Sequence, residues 1–377
     1  MKKILFITGT RADYGKIKSL IKAVEASADF EAFIFVSGMH LIDKFGNTYE
    51  EVLKDGYRNV YVDFSQANRG IMSYDLGNVI CNLTGYVSKV CPDMIVVHGD
   101  RIDALAGAIV GALNNIRVAH IEGGELSGTI DESMRHAITK FAHLHLVCNQ
   151  EAKQRLIQLG EEQERIHIVG SPDIDIMLSD SLPSIEQTKE RYDISFEEYA
   201  LLMYHPVTTE FEGMKERISQ IVSAVIDSGK KYVVIYPNND YGSEIILAEY
   251  ERFKGSSDFR IFPSVRFEYF LVLLQHADFM IGNSSAGIRE TGIYGIPAID
   301  IGSRQAGRYT NLNANIQHVS EKKEEILNAI SHVENYRKKC FSYGRGDSTE
   351  RFMEILNDPK SWSFKIQKSF IDMPIDH

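Results

Sequence analysis

The amino-acid sequence predicts an α/β protein made of two doubly wound domains with parallel sheets. The chain has 377 residues, which suggests two domains of ordinary size. Its first half alternates short apolar runs with helical patterns, and such alternation indicates βαβ units. The same alternation resumes after a polar, proline-containing stretch near residues 171–200. Because parallel strands end at one edge of a sheet, ligands are expected in a shared central cleft at the carboxyl ends of both sheets.

Each short apolar run predicts a strand, and each helical pattern between two runs predicts a helix. The first half has strands at 3–8, 32–37, 94–98, 117–121, 144–148 and 166–169, and helices at 14–26, 40–54, 72–90, 102–114, 132–141 and 150–159. The second half has strands at 199–204, 231–236, 260–262, 278–282 and 297–300, and helices at 210–228, 243–253, 266–275, 285–293 and 321–335. A helical tail from Thr349 to about Phe370 is expected to pack on the first domain. We therefore place the domains at 1–175 and 176–350, and the tail at 351–377.

Composition and charge limit the kinds of molecule that this chain is expected to bind and the compartment in which it is expected. The net charge of −11 disfavours nucleic acid and anionic membranes, so an anionic ligand needs a local site. No apolar run is long enough for a membrane span, and the run Ile4–Ile7 is too short for a signal peptide. The four cysteines form no C-x-x-C pair, which favours reduced thiols and a cytoplasmic protein.

An anion site is predicted where the first strand turns into a helix. The turn Gly9-Thr10-Arg11-Ala12-Asp13-Tyr14-Gly15 combines glycines with a helix N-terminus, and Arg11 adds a cation suited to phosphate. The spacing differs from the G-x-G-x-x-G fingerprint, which argues against NAD. An ordinary tight turn would explain the glycines equally well.

Three carboxylates are expected at the edge of the first sheet. Asp100 follows the strand that ends at His98, and Glu122 follows the strand that ends near His120. Each carboxylate comes two residues after a histidine, on the same side of an extended chain. Asp131 is expected in the first turn of the next helix, behind a capping box of Thr129 and Glu132.

Three interpretations of this cluster compete. Side chains of His98, Asp100, His120 and Glu122 could bind a metal, although no H-E-x-x-H pattern supports it. The carboxylates could instead form structural ion pairs at strand ends. Acid–base chemistry is the favoured interpretation, because neighbouring carboxylates can be tuned to different proton affinities.

The second half predicts a diphosphate site. A strand ends at His205-Pro206, which leaves His205 facing the cleft and able to donate to a phosphate or a leaving oxygen, and another ends at Tyr236-Pro237-Asn238. The segment Gly282-Asn283-Ser284-Ser285 opens a helix, and its backbone N–H groups and two hydroxyls suit a diphosphate. Glu290 lies about a turn and a half further on, where it could accept from ribose hydroxyls.

Taken together, these motifs resemble the hydrolysing UDP-N-acetylglucosamine 2-epimerases of sialic-acid synthesis, in order along nearly the whole chain. The non-hydrolysing relatives typically have Arg-Pro-Glu where this chain has Arg-Ala-Asp-Tyr. The stretches that match are Arg11–Tyr14, Gly99–Arg101, His120–Glu125, Ser127–Asp131, Arg135–Lys140, His205–Thr209, Gly282–Ser285 and Gly302–Gln305.

The resemblance implies two Rossmann-like domains of the glycosyltransferase-B type that bind a UDP-sugar. It implies elimination of UDP to a 2-acetamidoglucal and rehydration, with no metal or redox cofactor, in a homodimer or homotetramer. The catalytic residues would be Asp100, Glu122, Asp131 and His205. In the nucleotide site, Ser284 and Ser285 would hold the diphosphate, Glu290 would bind the ribose, and the 262–266 turn with Val265 would contact the uracil. The phosphate and sugar contacts would be completed by Asn238, Arg304 and Arg11.

Three other functions stay open at this point. The same reaction could act on UDP-N,N'-diacetylbacillosamine, a 4-acetamido-4,6-dideoxy sugar nucleotide that leads to legionaminic-acid-type sugars. A glycosyltransferase would share the architecture but would leave the three carboxylates without a role. A non-catalytic sensor would bind a UDP-sugar and release it unchanged.

Overall fold

The computed structural model describes residues 1–43, 46–65, 71–127, 130–207, 210–237, 241–308 and 314–372. These residues divide into two compact units. The first unit comprises Met1–Leu178 and the described part of the chain from Tyr343 onward, and the second comprises Ser179–Ser342. The prediction of two parallel-sheet units is confirmed by their sheets, which have seven and six strands.

The first unit has an all-parallel sheet with the strand order β3-β2-β1-β4-β5-β6-β7. Helices connect successive strands, as parallel pairing requires. Its strands are β1 Lys2–Thr8, β2 Phe30–Val36, β3 Val60–Val62, β4 Met94–His98, β5 Arg117–Ile121, β6 Leu144–Val147 and β7 Ile166–Ile168. Its helices are α1 Arg11–Ala26, α2 Tyr49–Lys54, α3 Met72–Val90, α4 Ile102–Leu113, α5 Ile130–Phe141, α6 Gln150–Gln158, α7 Asp173–Met177, α14 Ser348–Asn357 and α15 Lys360–Ser363.

The second unit repeats this pattern with the strand order β10-β9-β8-β11-β12-β13. Its strands are β8 Ala200–Met203, β9 Tyr232–Ile235, β10 Phe259–Phe262, β11 Met280–Gly282, β12 Ala298–Ile301 and β13 Ile316–Val319. Its helices are α8 Ile185–Arg191, α9 Met214–Asp227, α10 Ser243–Tyr250, α11 Phe267–Gln275, α12 Ala286–Tyr294 and α13 Lys323–Ser331.

Both faces of the first sheet are buried, which explains why its strands read as continuous apolar runs. Ile4 and Phe6 pack on the face that carries α1, and Leu5 and Ile7 pack on the opposite face. Phe352 of α14 joins the first of these two cores. Within the described ranges, no helix is both long and apolar enough to cross a membrane.

Several sequence predictions of local structure were wrong or incomplete, and the short helices α7 and α8 were not predicted. Edge strands β3 and β13 were missed, because they are only three and four residues long and partly exposed. The helix predicted over 40–54 is replaced by a 3₁₀ turn at Gly38–Leu41 and the short helix α2, separated by Asn47 with φ of 49°. The tail helix stops at Asn357, and Pro359 leads into the short α15.

Candidate active site

Each sheet reverses its strand order at one point, and several predicted residues follow the strands at that point. The reversal lies between β1 and β4 in the first sheet and between β8 and β11 in the second. In open parallel sheets, ligands bind outside the carboxyl ends of the strands at such a reversal. The chain turns that begin at Gly9, His98, His205 and Gly282 therefore define one candidate edge in each unit.

The turn after β1 is held by the buried carboxylate of Asp13. This carboxylate accepts hydrogen bonds from Gly9 N at 3.0 Å, Thr10 N at 3.1 Å and Thr8 Oγ1 at 2.6 Å. Thr10 and Asp13 also form a capping box for α1. Arg11 enters the first turn of α1 from this fixed backbone, and its Nη2 lies 2.9 Å from Glu51 Oε1.

A second buried carboxyl group, that of Asp103, lies against the same turn. A Cβ atom on Gly9 would lie 2.0 Å from Asp103 Oδ2, so the close approach requires glycine. Ser37 Oγ donates to Asp103 Oδ1 at 2.5 Å. Burial raises the pKa of Asp103 to about 6, the Ser37 hydrogen bond opposes this rise, and the charge of Asp13 adds to it. Sequence reasoning missed Asp103, although an acid in the first turn of a helix after a central strand was a usable signal.

Asp100 lies in a network with Arg135 and Ser127. Its Oδ2 accepts from Ser127 Oγ at 3.2 Å and is ion-paired with the buried guanidinium of Arg135 on α5. Arg135 Nη1 also donates to Glu125 O at 2.9 Å and to Ser127 Oγ. These contacts fix the orientation of the Asp100 carboxylate at the end of β4.

Glu122 projects from a backbone in the left-handed region, with φ of 65°. Such a conformation is unfavourable for a residue with a side chain and often marks a functional position. Glu122 is 5% exposed, and its Oε2 lies 3.3 Å from His98 Nε2 and 3.7 Å from Lys16 Nζ. Ser171 Oγ donates to the other carboxylate oxygen, Oε1.

The two histidines therefore do not pair with the carboxylates that follow them by two residues. His98 faces Glu122 across the β4–β5 pairing, because the register places His98 opposite Ile121. His120 Nε2 donates to Gly99 O at 2.8 Å, and its Nδ1 lies 3.2 Å from Thr139 Oγ1. Burial lowers the pKa of His120 to about 3, so its ring is neutral. Both nitrogens of His120 are thus engaged within the protein, and among the described residues no three His, Cys, Asp or Glu side chains group as metal ligands.

Asp131 lies half-buried in the first turn of α5, next to Glu132. The Glu132 carboxylate accepts from Ser127 N at 3.0 Å. The predicted partner of Glu132 in a capping box, Thr129, lies outside the described residues. The structure therefore places Asp131 on the same helix as Arg135, the partner of Asp100.

In the second unit, the fully buried Asn283 joins several predicted residues. Its Oδ1 accepts from His205 N at 2.7 Å, and its Nδ2 donates to His205 O at 2.8 Å. Its backbone oxygen accepts from Arg304 Nη1 at 3.0 Å and from Gln305 Nε2 at 2.7 Å. The side chain and the backbone carbonyl of Asn283 thus connect the ends of β8 and β11 with the turn after β12.

The predicted diphosphate turn begins at Gly282, whose φ is 137°. A Cβ atom there would lie 2.0 Å from Met203 O, so only glycine fits. Ser284 is buried and Ser285 is the N-cap of α12, without a side-chain capping bond. The backbone oxygen of Ser285 accepts from the N–H groups of both Ile288 and Arg289 at 3.0 Å.

The remaining predicted ligand residues of this unit lie on the following elements. Glu290 is 6% exposed on α12. Val265 lies in the turn between β10 and α11, where Arg266 N donates to Tyr192 OH at 3.1 Å. Asn238 lies outside the described residues.

Sequence reasoning missed Lys16, Asp173 and the connecting role of Asn283. Lys16 Nζ lies 3.3 Å from Oδ2 of Asp173, the first residue of α7. Asp173 is the first residue of α7, five residues after the end of β7, so it lacks the position directly after a strand that identified the other acids. It was overlooked because the residues after 171 were interpreted as a domain joint.

Comparisons with known proteins agree with this description. A family model described as UDP-N-acetylglucosamine 2-epimerase matches residues 22–357. A UDP-N-acetylglucosamine 2-epimerase from Neisseria meningitidis is 47% identical over 99% of this chain and 100% of its own length. A UDP-N,N'-diacetylbacillosamine 2-epimerase (hydrolyzing) from Legionella pneumophila is 33% identical over 94% of this chain and 96% of its own length. A crystal structure of UDP-GlcNAc 2-epimerase from Neisseria meningitidis bound to UDP-GlcNAc has a TM-score of 0.80 at 15% identity, over 94% of this chain and 99% of that one.

Proposed function

The chain belongs to the UDP-N-acetylglucosamine 2-epimerase family, and on that premise we propose that it converts UDP-N-acetylglucosamine and water to N-acetylmannosamine and UDP. The observation that carries the proposal is the pair of acids after adjacent strands β4 and β5. Asp100 is paired with Arg135, whereas Glu122 is enclosed by His98, Ser171 and Lys16. Acids in such different surroundings suit a reaction that removes one proton and returns another.

In this proposal the second unit binds the uridine diphosphate. Ser284 and Ser285 supply hydroxyl and backbone N–H donors to the diphosphate, at the start of α12. Glu290 accepts from the ribose, and the turn that contains Val265 contacts uracil. The remaining phosphate and sugar contacts are assigned to Asn238, Arg304 and His205 of this unit. Arg11, which belongs to the first unit, is assigned to the same group of contacts. Donors aimed at the departing phosphate stabilise its growing negative charge.

The first unit supplies the acid–base groups. A carboxylate among Asp100, Glu122 and Asp131 takes the proton from C2 of the sugar. The C1–O bond to the diphosphate breaks, its electrons leave with UDP, and a double bond forms between C1 and C2. Water then adds at C1, while a carboxylic acid of the same group returns a proton to the opposite face of C2. The water that adds at C1 gives up a proton, which restores the carboxylic acid, and the base releases the C2 proton to solvent. Both carboxyl groups then return to their starting protonation states, and the cycle converts one UDP-sugar and one water to N-acetylmannosamine, UDP and a proton.

Two observations support the hydrolysing reaction over simple epimerisation of the intact nucleotide. The chain has Arg11-Ala12-Asp13-Tyr14 where non-hydrolysing relatives typically have Arg-Pro-Glu, and the name of the Legionella relative describes that protein as hydrolyzing. Free N-acetylmannosamine is the starting sugar for sialic acid, and we propose sialic-acid synthesis as the role of this chain.

A second candidate substrate is UDP-N,N'-diacetylbacillosamine, which the name of the Legionella relative specifies. The identity of 47% to the Neisseria UDP-N-acetylglucosamine enzyme, against 33% to the Legionella protein, favours UDP-N-acetylglucosamine. Comparing kcat/KM for the two nucleotides tests this choice directly. A higher value for the bacillosamine nucleotide would reverse the assignment.

Chromatography of the products tests the proposed reaction. We expect equal amounts of UDP and free N-acetylmannosamine, whereas UDP-N-acetylmannosamine would indicate a non-hydrolysing enzyme. Asp100→Asn should abolish turnover and retain UDP binding. Asp193→Asn, a change at an exposed carboxylate of the second unit, is the matched control and should alter neither. Recovery of the UDP-sugar unchanged from the wild-type protein would indicate a sensor instead.

A further inference from the structure

One lysine of the first unit lies between two buried carboxylates, one that follows β5 and one at the start of α7. Lys16 Nζ is 3.3 Å from Asp173 Oδ2 and 3.7 Å from Glu122 Oε2. Asp173 is 1% exposed and Glu122 is 5% exposed. The ammonium group is therefore shared by two acids, and it lies closer to Asp173.

Asp173 is anchored, so it cannot follow Lys16 if the lysine moves. Ser171 N donates to Tyr343 O at 2.7 Å, and Ile174 N donates to Ser171 O at 3.1 Å, on either side of Pro172-Asp173. Further along α7, Asp175 Oδ1 accepts from Ser348 N at 3.0 Å. These bonds attach both ends of the segment to the chain around 343–348.

Lys16, by contrast, carries its charge on a flexible four-carbon stem. The Lys16 side chain is 17% exposed, and its ammonium group is attracted by both carboxylates. When the charge of Asp173 is removed, the attraction of the ammonium group to Glu122 is no longer opposed from that side. Without the Asp173 charge, the attraction of Glu122 favours a shorter distance between Lys16 Nζ and Glu122 Oε2. A direct pair would occupy Glu122 Oε2, the oxygen that also faces His98.

We propose that Asp173 is a positioning residue that holds Lys16 away from Glu122 and so keeps Glu122 Oε2 available to the sugar. The inference rests on the proposed function, because that function assigns Glu122 to proton transfer. Asp173 contacts neither reacting atom in this account, and it acts only through Lys16.

Steady-state kinetics of Asp173→Asn provide the first test. We expect kcat to fall about tenfold or more, as for a partly disabled acid–base group, and KM to change less than about twofold. Asp175→Asn is the matched control on the same helix. It leaves one acceptor oxygen for the two N–H groups of Ser348 and Thr349, so it should lower Tm and leave kcat unchanged. A wild-type kcat in Asp173→Asn would overturn the inference.

A crystal structure of Asp173→Asn gives the second test, which needs no activity. Lys16 Nζ should lie about 2.8 Å from Glu122 Oε2, the length of a direct ion pair. An unchanged Lys16–Glu122 distance overturns the inference even if kcat falls. If the wild-type protein turns over no UDP-sugar, the proposed function fails, and this distance still decides the role of Asp173.

Discussion

The side-chain amide of Asn283 pairs with the backbone of His205 through two hydrogen bonds, of 2.7 Å and 2.8 Å. These bonds join the ends of β8 and β11, the two strands between which the second sheet reverses its order. The backbone oxygen of Asn283 also accepts from Arg304 and Gln305. Asn283 thereby organises the predicted phosphate site without being one of its predicted ligands.

Replacing Asn283 with alanine should weaken UDP binding. The change leaves the His205 N–H and carbonyl groups without their amide partner, which destabilises the second unit by about 2–3 kcal/mol. We expect the Kd for UDP, measured by calorimetry, to rise at least about tenfold. Asn315→Ala is the control, because Asn315 is equally buried but bonds to Thr291 and Ile296. A similar loss of UDP affinity in both variants would show a general effect of instability.

Gly9→Ala should disrupt the first unit. The new methyl group would lie 2.0 Å from Asp103 Oδ2, inside van der Waals contact, and Asp103 is held by Ser37. We expect a loss of at least about 2 kcal/mol in the free energy of unfolding, measured with urea. Gly85→Ala in α3 has open space around its Cβ and should instead gain about 0.5–1 kcal/mol. Equal stability of the two variants would contradict this packing.

Glu161 should stabilise the first unit at neutral pH and lose this effect in acid. Burial alone favours its protonated form, but the hydrogen bond from His145 and the charge of Lys368 lower the pKa of Glu161 to about 2. Because the folded pKa lies below the ordinary value of 4.5 for glutamate, the stabilisation is present above about pH 5 and lost as pH falls towards 2.

We therefore expect Glu161→Gln to lose about 2 kcal/mol at pH 7, after allowance for solvent screening, and less at pH 4. Urea unfolding at both values measures the difference. Glu162→Gln, which removes a partly exposed pair with Arg165, should lose less than about 1 kcal/mol at either pH. A loss of unfolding free energy from Glu161→Gln that is larger at pH 4 than at pH 7 would contradict the lowered pKa of Glu161.

Asp103 should show the opposite pH dependence. Its folded pKa is raised to about 6 from the ordinary value of 3.8 for aspartate, so the folded state binds this proton more tightly than the unfolded state. The contribution is complete below pH 3.8 and is lost as pH rises through 6. Relative to Asp103→Asn, the wild-type protein should lose up to about 3 kcal/mol of unfolding free energy between pH 4 and pH 7. A flat difference across this range would show that Asp103 is not buried as described.

The sequence predicted those candidate site residues whose place follows from their position just after a strand or at the start of a helix. Asp100 and Glu122 were identified because polar residues follow central strands, and Gly282 and Ser284 because small residues open a helix. Local order also predicted the central strands, whose apolar runs are buried on both faces. The short strands β3 and β13 at the sheet edges lack such runs, and they were therefore missed.

Contacts that depend on packing between distant segments could not be predicted. The approach of Lys16 to Asp173, which lies 157 residues later in the sequence, requires α1 to pack beside α7. The pairing of His98 with Glu122 depends on the β4–β5 register, whereas sequence spacing suggested His120 as the partner. Asn283 was within a recognised motif, but its contact with His205 became evident only in the folded unit.

Proton NMR of UDP-N-acetylglucosamine turnover in deuterated water shows directly whether the C2 proton is exchanged during the reaction. We expect N-acetylmannosamine that carries deuterium at C2, released together with UDP, because the C2 proton is removed and then replaced from solvent. N-acetylmannosamine that retains its original C2 hydrogen would contradict elimination and the assigned roles of Asp100, Glu122 and Asp131.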